Sequence, residues 1–382
     1  MKDNTYILQF VCYEPKIYSG LDKFFVLITK KLCQQGITPV FVYSETLAAV
    51  PQIRKDLEDA GAIVETMPAK GKMVMINAVC HFCKKYKPQL VDVHFVPFIK
   101  AFTAIYSCIH RVKYFIHIHS LIADCTPKEY TKKKGFIKRF LLGIYMAMLN
   151  RCGKVICVSK AIEQQFREWA YGKKDNVQTL YLGTDLTPSK LTKQQARERL
   201  GLPQDEIIFA NISAKEQLKS IDYIIRCLNK GLFAHVGGLR ADNEYNRTYE
   251  KSLYDLVKEI GKEKQIIWLG KRSDIKDILP AFDIYVHPSS SEGLPVSLME
   301  AAAAGLPLIG TKVGGIPELI EHEKNGLMLE YGDWDALSKY MERLRVNKEL
   351  RERFGHNAHE TAYNHFDMDK QTNKLISAYG IN

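Results

Sequence analysis

Short apolar runs alternate along the chain with longer segments in which apolar residues recur at helical spacing. The run Tyr6–Val11 is followed, after Gly20, by Leu21–Cys33, whose apolar side chains have the spacing of one helix face. Further strand-like runs in the first half are Thr38–Tyr43, Ala62–Val64, Leu90–Phe95, Tyr114–His119 and Lys154–Val158. This alternation predicts a parallel β-sheet wrapped by helices.

The alternation breaks at Thr184–Leu191, a short polar segment, and then restarts. Strands of the second half are predicted at Ile207–Ile212, Leu232–Val236, Gln265–Trp268, Ile284–Val286 and Leu306–Ile309. We interpret the break as a linker between domains. The pattern therefore predicts an α/β protein of two doubly wound, Rossmann-like domains that face a deep cleft. They would cover residues 1–185 and 191–365, with a helix at about 366–382 packing back on the first domain.

Composition agrees with two globular domains, since 46% of the 382 residues are apolar and 25% are charged. The longest apolar run, Phe140–Leu149, has about half of the ~20 residues that a membrane-spanning helix needs. The N-terminal segment carries Asp3 and is typical of a first strand rather than a signal peptide. Nine scattered cysteines do not indicate a disulfide framework, and we interpret the CxxC at Cys80–Cys83 as ordinary packing. We expect a cytoplasmic protein, with the inner face of the cell membrane as an alternative location.

The net charge of +11 is concentrated in the first half of the chain. Residues 1–190 hold 28 Lys and Arg against 15 Asp and Glu, which gives +13 and leaves −2 for the remainder. Basic surface is compatible with nucleic acid, anionic lipid or a phosphorylated substrate. The basic run Lys128–Arg139 precedes the apolar run Phe140–Leu149, a combination that can lie on an anionic membrane. The alternative is a solvated basic turn before a core helix.

The strongest chemical signal lies between His287 and Glu318. A predicted strand runs into a serine-rich loop, then into Glu292-Gly293-Leu294-Pro295, and an apolar helix follows to about Ala304. Glycine permits a tight turn and proline suits a first helical turn, so the loop would direct backbone N–H groups at an anion such as phosphate. Gly314–Glu318 repeats the arrangement. Glu292 and Glu300 are eight residues apart and could reach one ligand. The alternative is a helix-dipole partner and a solvated helix residue.

This segment resembles the signature of the retaining glycosyltransferases of family 4, which have the GT-B fold. The match runs through SSSEGLPVSLMEAAAAGLPLIGTKVGGIPELI and contains the Glu-x7-Glu motif of that family. Weaker resemblances cover most of the chain. Ser19-Gly20-Leu21 resembles the glycine loop near the donor phosphates, and Ile116–His119 resembles the strand of the active-site histidine. Val158-Ser159 and Leu182–Asp185 resemble the segments at the end of the first domain. Leu269–Arg272 resembles the loop beside the base.

The resemblance implies a role for each matched residue. Glu292 would lie near the donor sugar, and the following backbone would hold sugar and phosphate. Glu300 would bind the ribose hydroxyls, Lys219 the diphosphate and His119 the sugar or acceptor. The candidate catalytic residues are Glu292, His119 and Lys219, and the candidate donor-binding residues are Gly20, Lys215, Lys219, Arg272, Glu292, Gly293, Leu294, Pro295 and Glu300.

One departure from the family pattern concerns the residues that would meet the diphosphate. The family carries an arginine five residues before the lysine that meets the diphosphate, and this chain has Ala214 there. Either Lys215 supplies the second charge or the segment is shifted. His117 is interpreted as structural, and His94 is a further candidate for the same cleft as His119. No metal site is expected.

The resemblance implies a metal-independent hexosyltransferase that needs no cofactor. It would move a hexose from a nucleoside-diphosphate sugar, with UDP favoured over GDP, to a glycan or lipid-linked acceptor in capsule, O-antigen or exopolysaccharide synthesis. The anomeric configuration would be retained by front-face attack. A non-hydrolysing sugar-nucleotide epimerase on the same fold is the alternative, although we find no catalytic carboxylate set for it. A basic nucleic-acid-binding protein is a third class, but no nucleic-acid motif is recognised. We expect a monomer or weak dimer that does not bind nucleic acid.

Overall fold

The computed structural model describes residues 5–11, 15, 18–69, 71–95, 97–120, 133–172, 175–239 and 242–381; the side chains of residues 97, 98 and 133–138 lie outside this description. The chain forms two compact units. Unit 1 is Met1–Leu182 with Asp369–Asn382, and unit 2 is Gly183–Met368. The predicted linker Thr184–Leu191 therefore lies within unit 2, just after the boundary.

Unit 1 is built around one parallel sheet of seven strands in the order β3-β2-β1-β4-β5-β6-β7. Its strands are β1 Thr5–Val11, β2 Ile37–Ser44, β3 Ile63–Met67, β4 Leu90–His94, β5 Lys113–Ile118, β6 Lys154–Cys157 and β7 Val177–Thr179. Its helices are α1 Gly20–Gln34, α2 Pro51–Asp59, α3 Lys72–Tyr86, α4 Pro97–His110, α5 Lys133–Cys152 and α6 Lys160–Trp169.

Unit 2 repeats this plan with six parallel strands in the order β10-β9-β8-β11-β12-β13. Its strands are β8 Ile208–Ile212, β9 Leu232–Val236, β10 Ile266–Trp268, β11 Ile284–His287, β12 Leu308–Thr311 and β13 Gly326–Leu329. Its helices are α7 Lys193–Leu200, α8 Ile221–Cys227, α9 Glu244–Glu259, α10 Ile275–Ile278, α11 Val296–Ala303, α12 Trp334–Val346 and α13 Lys348–His365. A last helix, α14 Met368–Tyr379, belongs to unit 1 from Asp369 onward.

Both sheets reverse strand order at their first strand, so each has a switch point next to it. In unit 1 the switch lies between β1 and β4, and in unit 2 it lies between β8 and β11. Ligands of doubly wound sheets bind outside the carboxyl ends of the strands at this position. The fold therefore directs attention to the loops that follow β1, β4, β8 and β11.

The C-terminal helix α14 is tied to unit 1 by lysines and by one aromatic side chain. Lys31 forms an ion pair with Asp369 at 2.7 Å, and Lys154 Nζ donates to the Ala378 carbonyl at 3.1 Å. The ring of Tyr379 packs edge-on against Phe115, with ring centroids 5.0 Å apart. These contacts bring Tyr379 onto the face of the sheet that carries Phe115.

Strand positions follow the predictions closely in both units. The sequence pattern did not predict strands β7 and β13, which both lie at sheet edges. β7 is a three-residue strand, Val-Gln-Thr, and β13 begins with Gly326, so neither forms an apolar run of four or more residues with strong β propensity. Among the described residues, no helix has the length and apolar character to span a bilayer.

Candidate functional site

The loops after β8 and β11 meet at the switch point of unit 2. The Ser290 backbone N–H donates to the Leu218 carbonyl at 2.9 Å, which joins the two loops directly. The Tyr285 hydroxyl accepts from the Ile212 N–H at 3.2 Å and fixes the end of β8 against β11. Tyr285 is buried, so this bond holds the base of the site in place.

The two glycine-rich segments predicted from the sequence are in contact. Gly315 N–H donates to the Gly293 carbonyl at 3.0 Å. Gly314 has φ +52°, and a Cβ at that position would lie 1.8 Å from the Glu292 carbonyl oxygen. No other residue fits there without a backbone shift, because a side chain would clash and the left-handed conformation disfavours it.

Lys219, His287 and Glu292 form a compact group, here called the glutamate cluster. Lys219 Nζ lies 2.7 Å from Glu292 Oε1, and His287 Nε2 lies 2.7 Å from the same oxygen. Glu292 and His287 are nearly fully buried, whereas the Lys219 side chain keeps 19% of its surface exposed. The lysine is thus the member of the cluster that a ligand can reach.

Glu292 is held ionised by its neighbours. Burial alone would raise the pKa of this carboxyl, but the positive charge of Lys219 and the hydrogen bond from His287 outweigh it. The resulting pKa lies well below the ordinary value of 4.5. Glu292 is therefore a carboxylate at neutral pH, and it accepts hydrogen bonds rather than donating a proton.

Helix α11 begins at Val296, immediately beyond this cluster. Its N-cap is Pro295, which adopts an extended backbone and whose side chain cannot accept a hydrogen bond. The first-turn N–H groups are therefore not capped by a side chain at the N-cap position, the arrangement that suits an anion. Proline was expected inside the first turn and instead immediately precedes it.

Glu300 lies on α11, partly exposed, close enough to Tyr285 for its charge to help raise the pKa of that phenol. Burial is the larger cause of the Tyr285 shift. Gly293, Leu294 and Pro295 form the turn between Glu292 and α11, and Leu294 is buried. The structure thus brings Lys219, Glu292, the Gly293–Pro295 turn and Glu300 together around the start of α11.

Lys215 lies in a different environment. Its ammonium donates to Glu250 Oε1 at 2.8 Å and to the Tyr254 hydroxyl at 2.6 Å. It also lies over the rings of Tyr254 and Trp268, 4.7 and 4.8 Å from their centroids. Lys215 is buried in this aromatic cage. The structure does not bring it to the glutamate cluster, and a role as the second diphosphate cation stays a prediction.

The two remaining donor-binding candidates have local partners. The guanidinium of Arg272 makes a two-point ion pair with Asp274 at 2.8 and 2.7 Å. Gly20 is the first residue of α1, where the Asp22 carboxylate accepts the Ser19 N–H at 2.8 Å. Most of the connection from β1 to Gly20 falls outside the described residues. Both roles stay predictions.

A second polar group, here called the histidine cluster, lies at the switch point of unit 1. His94 ends β4, His117 lies in β5 and His119 follows β5 by one residue. His94 Nδ1 lies 2.9 Å from His119 Nε2. One nitrogen from each of the three rings falls within 4.8 Å of the others. Period-two geometry explains the grouping, because alternate residues of a strand share a face.

Both His94 and His119 are neutral at physiological pH. Burial lowers the pKa of each imidazole well below 6.5, and the nearby His117 lowers it further. His119 keeps a partly exposed edge, and the ring of Phe95 stacks on it at 4.3 Å between centroids. Phe95 has φ +61°, an unusual conformation for an aromatic residue, of the kind found at functional sites.

Sequence reasoning found the histidines and missed the polar side chains that support them. Gln9, Asp92 and Tyr379 are buried and linked to the histidine cluster by hydrogen bonds. A weak signal existed, since Gln9 and Asp92 each lie between apolar residues of a strand. Tyr379 could not be connected to them, because 287 residues separate it from Asp92.

Comparison with known proteins settles the family. Residues 18–188 match the family model described as Glycosyltransferase Family 4, and residues 192–361 match the model described as Glycosyl transferases group 1. The chain belongs to glycosyltransferase family 4. The two models meet in this family 4 glycosyltransferase close to the boundary between its units. An epimerase is not favoured by these matches.

Curated relatives of this family 4 glycosyltransferase include two bacterial enzymes. It is 29% identical over 229 residues to N-acetyl-alpha-D-glucosaminyl L-malate synthase of Bacillus anthracis, which is 59% of this chain and 58% of the relative. It is 25% identical over 263 residues to UDP-Gal:alpha-D-GlcNAc-diphosphoundecaprenol alpha-1,3-galactosyltransferase of Escherichia coli, 66% of each chain. The alignments thus span less than two thirds of these relatives.

Solved structures match over nearly the whole chain. HepE of Anabaena in complex with UDP and glucose has a TM-score of 0.81 at 20% identity, covering 98% of this chain and 99% of HepE. Sucrose-phosphate synthase of Thermosynechococcus elongatus has a TM-score of 0.82 at 17% identity, with 98% of each chain covered. The predicted fold, GT-B with two Rossmann-like α/β domains, is confirmed.

Proposed function

We propose that this protein transfers a hexose from a nucleoside-diphosphate sugar to a glycan or lipid-linked sugar, with retention of configuration, in surface polysaccharide synthesis. The observation that carries the proposal is the glutamate cluster at the start of α11, where a reachable lysine and a helix N-terminus converge at the switch point of unit 2. Diphosphate is the ligand for which this arrangement is suited. The family supplies the reaction class.

The chemistry follows from the charges that develop during transfer. The bond between sugar C1 and the diphosphate oxygen breaks, leaving negative charge on the diphosphate and positive charge on the sugar ring. Lys219 and the first turn of α11 would stabilise the leaving diphosphate. The acceptor hydroxyl would attack from the side that the diphosphate leaves, and its proton would pass to the leaving phosphate oxygen.

Glu292 has an electrostatic role in this scheme. Because its pKa is held low, it cannot act as a general acid at neutral pH. Its negative charge orients Lys219 before the donor binds, and it would lie near the positive sugar ring during transfer. A charge of this kind, fixed in place, stabilises a transition state without reorganisation.

We propose further that the reaction needs no divalent metal and no cofactor, because Lys219 and backbone N–H groups supply the positive charge at the leaving group. We favour uracil as the base of the donor, which would then be a UDP-sugar rather than a GDP-sugar. The supporting observations are the relatives, since the Escherichia coli enzyme is named for UDP-Gal and HepE was solved with UDP and with UDP-glucose.

The direct test is nucleotide binding followed by thermal unfolding. A ligand at 100 times its dissociation constant adds about 2.7 kcal/mol of stability, so UDP, GDP and their sugars can be ranked without knowing the acceptor. We expect stabilisation by at least one of them without added metal, and loss of most of it in Lys219→Ala. Lys251→Ala is the control, since Lys251 forms a comparable but exposed pair with Asp255. A panel in which no nucleotide stabilises the wild type would refute the proposal.

Turnover is the second measurement. Removing one leaving-group contact commonly lowers the rate about 10²–10³-fold, and we expect that range for Lys219→Ala with an unchanged fold. Near-wild-type turnover in that variant would remove Lys219 from the mechanism. An epimerase would be recognised by conversion of the sugar nucleotide in the absence of any acceptor.

A peripheral contact with anionic membrane is part of the proposal. The packed helices α4 and α5 expose large apolar side chains on unit 1: Ile105, Ile109, Phe140, Leu141 and Ile144. Arg139 is exposed beside them, while the rest of the predicted basic run Lys128–Arg139 falls outside the described side chains. Exposed apolar groups next to basic residues are the arrangement that binds such surfaces. A lipid-linked acceptor would place the enzyme at the cytoplasmic face of the membrane.

A further inference from the structure

A continuous line of hydrogen bonds connects the C-terminal helix to His119 through the interior of unit 1. The Tyr379 hydroxyl donates to Asp92 Oδ2 at 2.6 Å, and the Gln9 amide Nε2 donates to Tyr379 Oη at 2.9 Å. Gln9 Oε1 lies 3.2 Å from His94 Nε2. His94 Nδ1 lies 2.9 Å from His119 Nε2.

The direction of every bond in this line follows from its first member. A carboxylate only accepts, so the Tyr379 hydroxyl must donate to Asp92 and can only accept from Gln9. Gln9 therefore turns its NH2 group to Tyr379 and its oxygen to His94.

The same reasoning continues through the two imidazoles. Because Gln9 offers an oxygen, the proton of neutral His94 must be on Nε2, which leaves Nδ1 as an acceptor. That acceptor requires a donor opposite it, so the proton of neutral His119 must be on Nε2. The remaining nitrogen of His119, Nδ1, then carries a lone pair.

Burial prevents any hydrogen bond of this line from reversing its direction. Gln9, Asp92, His94 and Tyr379 each expose 2% or less of their surface. Reversing one bond would bring two donors or two acceptors together away from water, and an unsatisfied buried polar group is costly. The ring of His119 is further held by the stacked Phe95.

We propose that Asp92, Tyr379, Gln9 and His94 are positioning residues that fix His119 as its Nε2–H tautomer and present Nδ1 as a hydrogen-bond acceptor for a sugar hydroxyl. The sugar in this statement rests on the proposed function, whereas the tautomer does not. His119 then selects a ligand group that donates a hydrogen bond. A sugar in which that hydroxyl is replaced by fluorine would bind or react less well, because fluorine has no proton to donate.

The same three histidines resemble a metal site, because His94 and His117 also hold their outer Nε2 atoms 3.2 Å from Gln9 Oε1 and 3.1 Å from Asp92 Oδ2. A shared metal would need a lone pair on both His94 Nδ1 and His119 Nε2, whereas the hydrogen bond between these two atoms, 2.9 Å apart, needs a proton on one of them. The two interpretations therefore differ in the tautomer of His119. The line of hydrogen bonds satisfies both atoms without an ion.

The test is long-range ¹H–¹⁵N NMR of the histidine rings in the full chain, with His119 assigned by its absence in His119→Asn. Nε2–H tautomers of both His94 and His119 are expected in the wild type without any ligand. Nδ1–H on His119 would overturn the proposal, as would stoichiometric zinc binding that shifts all three rings together. Because no substrate is present, this outcome is independent of whether the proposed function holds.

Variants of the line supply the second readout. Tyr379→Phe frees Gln9 to turn, so we expect mixed tautomers at His119 and a fall in kcat of about tenfold, with the nucleotide KM unchanged. Gln9→Met tests the next bond in a side chain of similar length, should Tyr379→Phe melt too low to study. Tyr331→Phe, an exposed tyrosine of unit 2, is the control. Unaltered His119 signals in both Tyr379→Phe and Gln9→Met would overturn the proposal.

Discussion

At the scale of single residues, the charge on Glu292 is the feature with the clearest consequence in solution. Its carboxyl is buried between Lys219 and His287, and its pKa is held far below that of an exposed glutamate. In the unfolded chain the same group titrates near 4.5. The unfolded state therefore binds a proton over an acid range in which the folded state does not.

The sign of the pH effect follows from that difference. A depressed folded-state pKa stabilises the protein above pH 4.5, and this stability is lost as the pH falls toward the folded value. Glu292→Gln should lower the free energy of unfolding by about 3 kcal/mol at pH 7, the range for breaking a buried pair. The difference in the free energy of unfolding between wild type and Glu292→Gln, measured by urea titration, should decrease steadily below pH 4.5.

Glu323→Gln is the matched control for this experiment. Glu323 pairs with Arg343 in an ion pair whose side chains are both more than 40% exposed. An exposed pair contributes about 1 kcal/mol or less, so this variant should stay close to wild type at every pH. If the difference in the free energy of unfolding between Glu292→Gln and wild type did not change with pH, the lowered pKa of Glu292 would be contradicted.

At the scale of elements, the contact between the two glycine loops determines the shape of the proposed donor site. Gly314→Ala would force a Cβ to within 1.8 Å of the Glu292 carbonyl, so the loop must move away from the start of α11. We expect the dissociation constant for the nucleotide to rise about tenfold or more, measured by calorimetry, because a displacement of about 1 Å in such a site is costly.

Gly261→Ala separates the effect of the clash from that of backbone strain. Gly261 has φ +66°, and a methyl group at this position would meet no atom within 4 Å, so alanine is strained there without a collision. Both variants should lose about 1 kcal/mol of stability to the left-handed conformation. Nucleotide affinity that falls equally in both would mean that strain, and not the packing of Gly314 on Glu292, causes the loss.

The elements also indicate where sequence reasoning succeeds and where it stops. Local patterns sufficed for the long strands and for the α11 loop, because apolar periodicity and glycine–proline placement are local properties. Edge strand β7 was missed because three residues carry no period. The cage of Lys215 was missed because Glu250 and Tyr254 come from a distant helix. The Asp92–Tyr379 bond depends on a contact that no local pattern encodes.

At the scale of the whole molecule, the exposed apolar side chains of α4 and α5 should make membrane binding measurable. Flotation with vesicles of phosphatidylglycerol and phosphatidylcholine should recover the protein at low salt and less of it at high salt. Leu141→Ser and Ile144→Ser should each weaken partitioning by about tenfold, from the apolar area no longer buried.

Val346→Ser is the control for flotation, since Val346 is an exposed apolar residue on α12 of unit 2. It should float like the wild type. Protein that stays unbound at low salt on fully anionic vesicles would remove the membrane contact from the proposal. If all three serine variants weakened vesicle binding equally, the binding would be due to general hydrophobicity rather than to α4 and α5.

The return of α14 to unit 1 has a consequence for biosynthesis. Because Gly183–Met368 is inserted between two parts of unit 1, a ribosome makes all of unit 2 before it reaches Tyr379. The 287 residues from Val93 to Tyr379 take roughly 15 to 60 seconds to translate. During that interval Asp92 lacks its hydrogen bond from the Tyr379 hydroxyl, which is the first bond of the line to His119. A nascent chain interrupted after Met368 would contain all of unit 2 but not Tyr379, so the proposed tautomer of His119 would not yet be fixed.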